Sequence, residues 1–287
     1  MKIAVCVKPV PDMAEISVNQ NNLPVRDGLQ NKPGLPFKVN PADESALEAA
    51  LRLRGNGEIT LVCMGSKSMS HIQKSLLVHG VDKAVLINDN AMAGSDTYAT
   101  AKTLCAALVY LGGFDLVFCG RRAIDGETGQ VPAELAFFLG IPFVTNVTRL
   151  ELCHEDRLNE TNLNCERLLE TGTESLEVTL PALVSFCEYS YPLRPPGIAS
   201  MRKAIGKELI VLDRKMLGLQ ADECGNAGSP TRVRQITGNE TPARSGICET
   251  DIYAGAKKLA AMTFMSRCAG KTGTCCHQSG SGFPLNE

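Results

Sequence analysis

A glycine-containing segment over residues 120–130, GRRAIDGETGQ, has the residue types that bind a phosphate group. It follows an apolar run and precedes a helical pattern. Its second half is therefore predicted at the start of a helix, where free backbone N–H groups and the helix dipole favour an anion. Gly126 and Gly129 allow the backbone to approach such an anion, and Thr128 and Gln130 add side-chain donors. An ordinary connector before a helix has the same spacing, so both interpretations stay open at this point.

Two other loops are predicted at the same edge of a sheet. The apolar runs at residues 3–7 and 59–63 are typical of buried strands, and they are followed by Lys8 and by Met64-Gly65-Ser66. In open α/β sheets ligands bind beyond the carboxyl ends of the strands. We therefore expect these two loops to lie beside the glycine-containing segment.

Other kinds of chemical site have little support in the sequence. There is no Walker A loop, and no GxGxxG motif follows a strand. No motif pairs a nucleophile with a general base, so we predict no catalytic residue. Cys275, Cys276 and His277 form either a metal site or part of a flexible tail. Two adjacent cysteines do not easily chelate a metal alone, so we predict no metal site.

Strand and helix patterns alternate through the first half of the chain. Strands are predicted at residues 3–7, 59–63, 84–87 and 116–119, and helices at 43–54, 68–79, 96–111 and 130–139, the last ending at Gly140. This alternation predicts an α/β fold with a doubly wound, mostly parallel sheet of the Rossmann-like kind.

The second half has a different character. Residues 147–152 and 176–180 alternate in polarity and predict a hairpin or meander, and residues 183–186 predict another buried strand. From residue 206 the chain is rich in Gly, Pro, Thr and Asn, which indicates an extended arm with one helix near residues 252–265. The last part of the chain, which contains the Cys-rich tail, is predicted to be disordered.

Composition excludes several classes of protein. The chain has 287 residues, 44% of them hydrophobic, and a net charge of −2, so we expect neither a nucleic-acid-binding protein nor a membrane-inserted one. The start of the chain lacks the pattern of a signal peptide, which favours the cytoplasm. Of the twelve cysteines several lie in apolar runs, and no Cys-x-x-Cys pair occurs, so a disulfide framework is not expected.

Several dispersed motifs resemble one known family. The runs AVCVKPVPD, VNPADESALEAALRLR and GRRAIDGETGQVPAELAFFLGIP are similar to the beta subunit of electron-transfer flavoproteins. Further similar segments lie, in the same order, at residues 81–87, 95–101, 180–186 and 228–233. The resemblance extends over residues 1–235, and several motifs in register are more specific than any single one.

The resemblance implies a function in electron transfer. In this family an alpha subunit holds a redox FAD, and the beta subunit holds an adenine nucleotide. One branch has AMP there, as a simple electron carrier. The electron-bifurcating branch has a second FAD, which takes a hydride from NADH. Only Gly126-Glu127 separates Ala-Ile-Asp from Thr-Gly-Gln in this chain, as in the bifurcating branch, and SDTYATA at residues 95–101 is also similar to that branch. A second FAD in this subunit is therefore favoured, with AMP as the alternative.

The resemblance also implies which residues bind. Together with the loop position of Ser66, it gives these cofactor contacts: Lys8, Asn40, Met64, Gly65, Ser66, Asp125, Gly126, Thr128, Gly129, Gln130 and Val131. Two departures leave the shape of the loop open. Pro132-Ala133 stands where bifurcating relatives usually have Gly-Pro, and Arg121 and Arg122 either meet a diphosphate or form a surface pair.

A recognition loop and an arm are implied as well. Residues 194–204 resemble the family's recognition loop, which includes Arg194 and places an apolar side chain, here Ile198, into an acyl-CoA or other dehydrogenase. Alternatively, Ile198 packs on its own subunit. The chain would then consist of a nucleotide-binding domain over residues 1–190 and, over 191–287, the recognition loop, an arm on the alpha subunit of a heterodimer, and the tail.

Functions of other classes share the predicted fold. One is a nucleotide-dependent enzyme that hydrolyses ATP or adenylates a substrate; against it, the first strand ends in Val-Lys-Pro rather than in a Ser- and Gly-rich phosphate loop. Another is a nucleotide-sensing regulatory module.

Overall fold

The computed structural model describes residues 1–12, 37–155, 160–232 and 251–269, with side chains omitted over 154–160 and 262–269. The chain divides into two units, Met1–Thr237 and Gly238–Glu287. The predictions for the Cys-rich tail lie outside the described residues. Whether a domain boundary lies at residue 190 stays a prediction.

A nine-stranded sheet forms the centre of the first unit. The described strands of this unit, of which all but β2 and β3 belong to that sheet, are β1 (Lys2–Cys6), β2 (Pro9–Pro11), β3 (Phe37–Val39), β4 (Glu58–Met64), β5 (Lys83–Ile87), β6 (Leu116–Gly120), β7 (Phe143–Glu155), β8 (Glu160–Leu169), β9 (Gly172–Thr179), β10 (Ala182–Phe186) and β11 (Leu209–Leu212). The order in the sheet is β11-β5-β4-β1-β6-β10-β7-β8-β9, whereas β2 and β3 form a separate antiparallel pair. Neighbours from β11 to β7 are parallel, and β7, β8 and β9 are antiparallel.

Helices cover both faces of the parallel part. The helices of the first unit are α1 (Pro41–Leu53), α2 (Ser70–Leu77), α3 (Thr97–Tyr110), α4 (Val131–Leu139), α5 (Ile198–Ala204) and α6 (Gly225–Gly228), and the second unit contains α7 (Ile252–Ala269). One core joins α1 and α2 to one face of the sheet, and a second core joins α3 and α4 to the other. Because both faces are covered, β6 and β10 are buried along their whole length. The predicted doubly wound fold is confirmed.

The first helix shows how local sequence sets these elements. Asn40 is its N-cap and Pro41 its first residue, where the missing N–H of proline costs nothing. Ala46, Leu47 and Ala50 face the core, as their helical spacing predicts. At the end of α4, Gly140 has φ +67 and ends the helix in the left-handed conformation, as expected.

Some elements were not predicted. The meander has a third strand, β8, between the two alternating segments, and β7 pairs in parallel with β10 before it continues as the partner of β8. Strand β11 lies in the segment that was expected to be an extended arm, and it pairs with β5 at the edge of the sheet. None of the helices in the described part of the chain has the length and apolar character needed to cross a membrane.

Candidate functional site

The order of the central strands creates a crevice at their carboxyl ends. Strands β1 and β6 are neighbours, but the chain after β1 leads to α1 on one face, and the chain after β6 leads to α4 on the other. The two connections diverge, and this reversal point is where open α/β sheets bind their ligands. The loop after β6 is the glycine-containing segment, hereafter the 120–130 loop.

Lys8 links the two sides of the crevice. Its Nζ lies 2.7 Å from the carboxylate of Asp125, which belongs to the 120–130 loop. The Lys8 side chain is 45% exposed, whereas that of Asp125 is 16% exposed. The ammonium group thus stands at the open side of the crevice with its carboxylate partner beneath it.

Asn40 fixes the first part of the 120–130 loop. Its side-chain Nδ2 donates to the carbonyl of Arg122 at 2.9 Å, and its Oδ1 accepts from the N–H of Ile124 at 3.2 Å. The residue is only 1% exposed. Both polar atoms of the Asn40 amide are thus bonded to the 120–130 loop. The structure gives Asn40 a role in positioning this loop, in addition to the predicted contact with the cofactor.

Asp43 lies at the centre of the crevice floor, although the sequence analysis did not select it. Its carboxylate accepts from the backbone N–H groups of Lys8 at 2.7 Å and Gly120 at 2.9 Å, and from Asn40 Nδ2 at 3.1 Å. Burial raises the pKa of Asp43 to about 7, and the hydrogen bonds from Lys8, Asn40 and Gly120 oppose that rise. In the sequence, Asp43 could be recognised only as an acidic residue in the first turn of a helix. Acidic residues are common at that position, so this alone did not mark a site.

The second half of the 120–130 loop presents free backbone donors. Glu127 and Gly129 have positive φ angles of 53° and 64°, so the left-handed residues are these two rather than Gly126. The N–H groups of Gly126 and Glu127 donate to the carbonyl of Ala123. In the described part of the chain, those of residues 128–130 donate to no protein acceptor. Thr128, Gly129 and Gln130 are all exposed, at the start of α4.

The loop after β4 lies at the same edge, next to β1. The carbonyl of Gly65 accepts from Asn88 Nδ2 at 2.9 Å, and the N–H of Gly65 donates to Ile87. Ser66 Oγ accepts from the N–H of Ser68 and caps a short 3₁₀ turn. Met64 packs partly buried on the core under α3 and α4.

The start of α3 closes the far side of the crevice. Asp96 caps this helix through the N–H of Ala99 and also accepts from Thr231, both from its N–H at 2.9 Å and from its Oγ1 at 2.7 Å. Thr97 Oγ1 lies 3.3 Å from Gln130 Oε1, which couples α3 to the 120–130 loop. The similar segment 95–101 therefore meets the described part of the segment 228–233 at this point.

Arg121 and Arg122 pair with one carboxylate. Their Nε atoms lie 2.7 and 3.1 Å from the two oxygens of Glu188, which follows β10. Burial would raise the pKa of Glu188, but its own backbone hydrogen bond and those from Arg122 and Arg121 lower it overall. Glu127 of the 120–130 loop also attracts Arg122, so the two arginines meet two carboxylates at this side of the crevice.

The residues of the crevice fit a nucleotide with its phosphate at the start of α4. The N–H groups of residues 128–130 and the end of the α4 dipole favour an anion. A Cβ at Gly129 would meet the carbonyl oxygen of Arg121 at 3.3 Å, so glycine keeps this turn compact. Asp125 and Glu127 bring negative charge, and Lys8 neutralises the first of them. In the described residues, no cluster of His, Cys, Asp and Glu is placed to hold a metal ion.

The segment after β10 is tied to α1 by a buried carboxylate. Arg194 Nε and Nη2 contact Glu48, the shortest distance being 2.6 Å, and Arg52 Nε contacts the same group at 2.7 Å. Glu48 is fully buried; burial would raise its pKa, but the hydrogen bonds from Arg194 and Arg52 lower it overall. Just beyond, Ile198 is 73% exposed, so little of it packs on its own subunit.

Comparison with known proteins identifies one family. The model of the "Electron transfer flavoprotein domain" family matches residues 32–213. The chain is 37% identical over 270 residues to the electron transfer flavoprotein subunit beta of Thermoanaerobacterium thermosaccharolyticum, covering 93% of this chain and 97% of that protein. It is 36% identical to Protein FixA of Azorhizobium caulinodans, covering 82% and 84%. It is 33% identical to the caffeyl-CoA reductase-Etf complex subunit CarD of Acetobacterium woodii, covering 86% and 90%.

Proposed function

Since this chain belongs to the electron transfer flavoprotein family, as a beta subunit, we propose that it works in a heterodimer with an alpha subunit and holds an adenine nucleotide in its crevice. The N–H groups of residues 128–130, which donate to no acceptor among the residues that the structure describes, carry this proposal. Such donors at the start of a helix bind a phosphate oxygen without needing a cationic side chain. The alpha subunit supplies the redox FAD of the pair.

The nucleotide of this subunit is proposed to be a second FAD. The loop between Asp125 and Thr128 contains only Gly126 and Glu127, and Glu127 and Gly129 turn it sharply through their left-handed conformations. We infer that so short a loop leaves space beyond the phosphate position, which a larger nucleotide needs. One relative of similar length is named as a subunit of a caffeyl-CoA reductase-Etf complex, which favours a carrier that works with an acyl-CoA-type enzyme.

The residues of this chain would bind and orient the nucleotide. The N–H groups of residues 128–130 would hold its phosphate, and Lys8 stands at the open side of the crevice to offset negative charge. Met64, Gly65 and Ser66 line the neighbouring strand end, where the adenine or ribose would lie. When bound, a flavin would supply hydride and electron transfer, including the oxidation of NADH.

The partner dehydrogenase is proposed to dock on α5. Ile198 and Met201 lie one turn apart on this helix and are 73% and 44% exposed, and Ile205, which follows its last residue, is 82% exposed. A small group of exposed apolar side chains suits a transient complex with one central anchor. The bidentate contact between Arg194 and Glu48 would hold the start of this segment in place on α1.

Identification of the bound nucleotides tests the proposal. The chain would be co-purified with its alpha subunit, and the nucleotides released by denaturation would be separated by chromatography and counted per heterodimer. Two FAD molecules are expected. One FAD with one AMP would exclude bifurcation and leave a simple carrier. A colourless pair that releases ATP or an adenylated product would overturn the electron-transfer assignment.

A matched measurement tests the nucleotide's redox role. If this subunit holds the second FAD, NADH should bleach the flavin absorbance of the heterodimer under anaerobic conditions. With AMP in this subunit, NADH alone should leave the absorbance unchanged. The two outcomes separate the two branches without any substitution in the chain.

A further inference from the structure

The carboxylate of Asp43 is the meeting point of the three segments that form the crevice. It lies in the first turn of α1 and accepts from the backbone N–H of Lys8, directly after β1, and of Gly120, at the end of β6. Both are main-chain contacts, so they fix the backbones of the two loops rather than mobile side chains. The positions at which the two central strands release their loops are thus set by one side chain.

Contacts of Asp43 and its neighbours also hold the loop that leads to the phosphate position. Asn40 donates to Asp43 and, with the same amide, holds Arg122 and Ile124 of the 120–130 loop. Lys8, whose N–H is bound to Asp43, carries the side chain that pairs with Asp125 further along that loop. A shift of Asp43 would therefore move both ends of the segment that leads to residues 128–130.

Gly120 shows that the close approach is built into the sequence. A Cβ at this position would collide with the carboxylate of Asp43 and lie 2.7 Å from Cβ of Ala42, distances that real structures do not tolerate. Gly120 has no left-handed backbone that would otherwise require glycine. The absence of a side chain here is explained by the contact with α1.

The hydrogen-bond partners of Asp43 suit the ionised form only. All three are donors, so the hydroxyl of a protonated carboxyl would face an N–H group instead of an acceptor. Burial acts in the opposite direction and raises the pKa of Asp43 to about 7, so the carboxyl changes its charge near neutral pH. The titratable groups that interact with Asp43 are Lys8 in the loop after β1, Cys63 of β4 and Cys119 of β6, and Cys6 of β1 lies beside both cysteines.

We propose that Asp43 is the positioning residue of the nucleotide crevice: its ionised carboxylate holds the loops after β1 and β6 at the spacing that binds the phosphate, and its protonation loosens them and releases the nucleotide. The inference rests on the proposed nucleotide site. Asp43 itself does not touch the nucleotide; it acts through the backbones of Lys8 and Gly120 and through Asn40.

Stability and binding should respond to pH in opposite ways. The pKa of Asp43 is higher in the folded protein than in the unfolded chain. Its contribution to the free energy of unfolding is therefore largest at a pH below the unfolded-state pKa, and it is lost as the pH rises through about 7. Nucleotide affinity, in contrast, should rise with pH over the same range. A merely structural carboxylate would move both quantities together.

The experiment is a titration of AMP into the heterodimer after removal of the nucleotide from the beta subunit, followed by calorimetry at pH 8 and at pH 6.5. With a pKa of about 7, the ionised fraction of Asp43 falls from about nine-tenths at pH 8 to about one-quarter at pH 6.5, so wild type should lose about fourfold in affinity between the two. Asp43→Asn should bind weakly at both, with a shallower profile. The phosphate of AMP also titrates near pH 6 in all variants, so the difference between the profiles is the readout.

Matched variants keep the test decisive. Glu44→Gln removes the neighbouring half-buried carboxylate, which interacts with Lys38 and, in the described part of the chain, accepts no hydrogen bond from the crevice loops, so it should behave as wild type. Asn40→Ala keeps Asp43 with its two backbone donors, so it should bind AMP less tightly but retain the pH dependence, even if Asp43→Asn does not fold. Wild-type affinity for AMP in Asp43→Asn at pH 8, or the same profile for both proteins, would overturn the inference alone. No binding of AMP or FAD by wild type at either pH would overturn the proposed function itself.

Discussion

The clearest test of the phosphate position is the substitution Gly129→Val. Gly129 has φ +64, and a Cβ there would lie 3.3 Å from the carbonyl oxygen of Arg121. A β-branched residue in the left-handed region costs between about 1 and 3 kcal/mol, or the turn changes its conformation to avoid that cost. Because the new side chain also presses on the carbonyl of Arg121, we expect the turn to shift and to move the N–H groups of residues 128–130 away from the phosphate. We expect the heterodimer to lose the nucleotide of this subunit while the sheet stays folded.

Gly140→Val is the matched control for that substitution. Gly140 ends the same helix, has φ +67 and has no atom within 4 Å of the Cβ position, so it carries the same backbone strain at the end far from the crevice. Both variants should show a similar drop in the free energy of unfolding, measured by denaturant titration. Only Gly129→Val should lose nucleotide on chromatography of the released cofactors. Full nucleotide content in Gly129→Val, or an equal loss in Gly140→Val, would refute the assignment of the phosphate to this turn.

Three further predictions concern the rest of the chain. Arg194→Ala removes a bidentate partner of the buried Glu48, and since half of the Arg194 side chain is exposed we expect a loss of about 1–2 kcal/mol at pH 7 by denaturant titration. The pKa of Glu48 is lower in the folded protein than in the unfolded chain, so the ion pair stabilises the fold at a pH above the unfolded-state pKa, and this stabilisation should vanish as the pH falls through the folded-state pKa. An unchanged difference in free energy of unfolding between wild type and Arg194→Ala at acid pH would contradict this. Ile198→Asp should slow electron transfer from the partner dehydrogenase in stopped-flow experiments and leave the melting temperature unchanged, because the side chain is 73% exposed; an unaltered rate would remove α5 from the docking surface. Expressed without its alpha subunit, the chain should be poorly soluble, since residues after 205 have little apolar periodicity, and a thermostable monomer would count against the predicted arm.

Parts of the candidate site were predictable because local sequence defines them. Lys8, the Met64-Gly65-Ser66 segment and the 120–130 loop each follow a buried strand, and parallel strands bring their carboxyl ends to one edge. The role of Asp43 was not predictable in this way. Its partners are backbone groups 35 and 77 residues away along the chain, and backbone N–H groups leave no mark in a sequence.

The roles of two predicted site residues also depended on the fold. Asn40 was selected as a cofactor contact, yet its amide is engaged by Arg122 and Ile124, more than 80 residues away. Gly126 was expected to provide the free backbone of the phosphate turn. Its N–H is bound to Ala123, and Glu127 takes the left-handed conformation instead.

The sequence by itself determined the alternation of strands and helices, the place of the crevice and the family, because apolar periodicity and the order of short motifs are properties of neighbouring residues. Only the tertiary structure decided the edge strand β11, whose residues are partly exposed and find their partner in β5 more than 120 residues earlier. It also decided that one buried carboxylate holds both loops of the crevice. Such contacts depend on how segments that are far apart in the sequence pack together, and a pattern of neighbouring residues does not show which distant segments will meet.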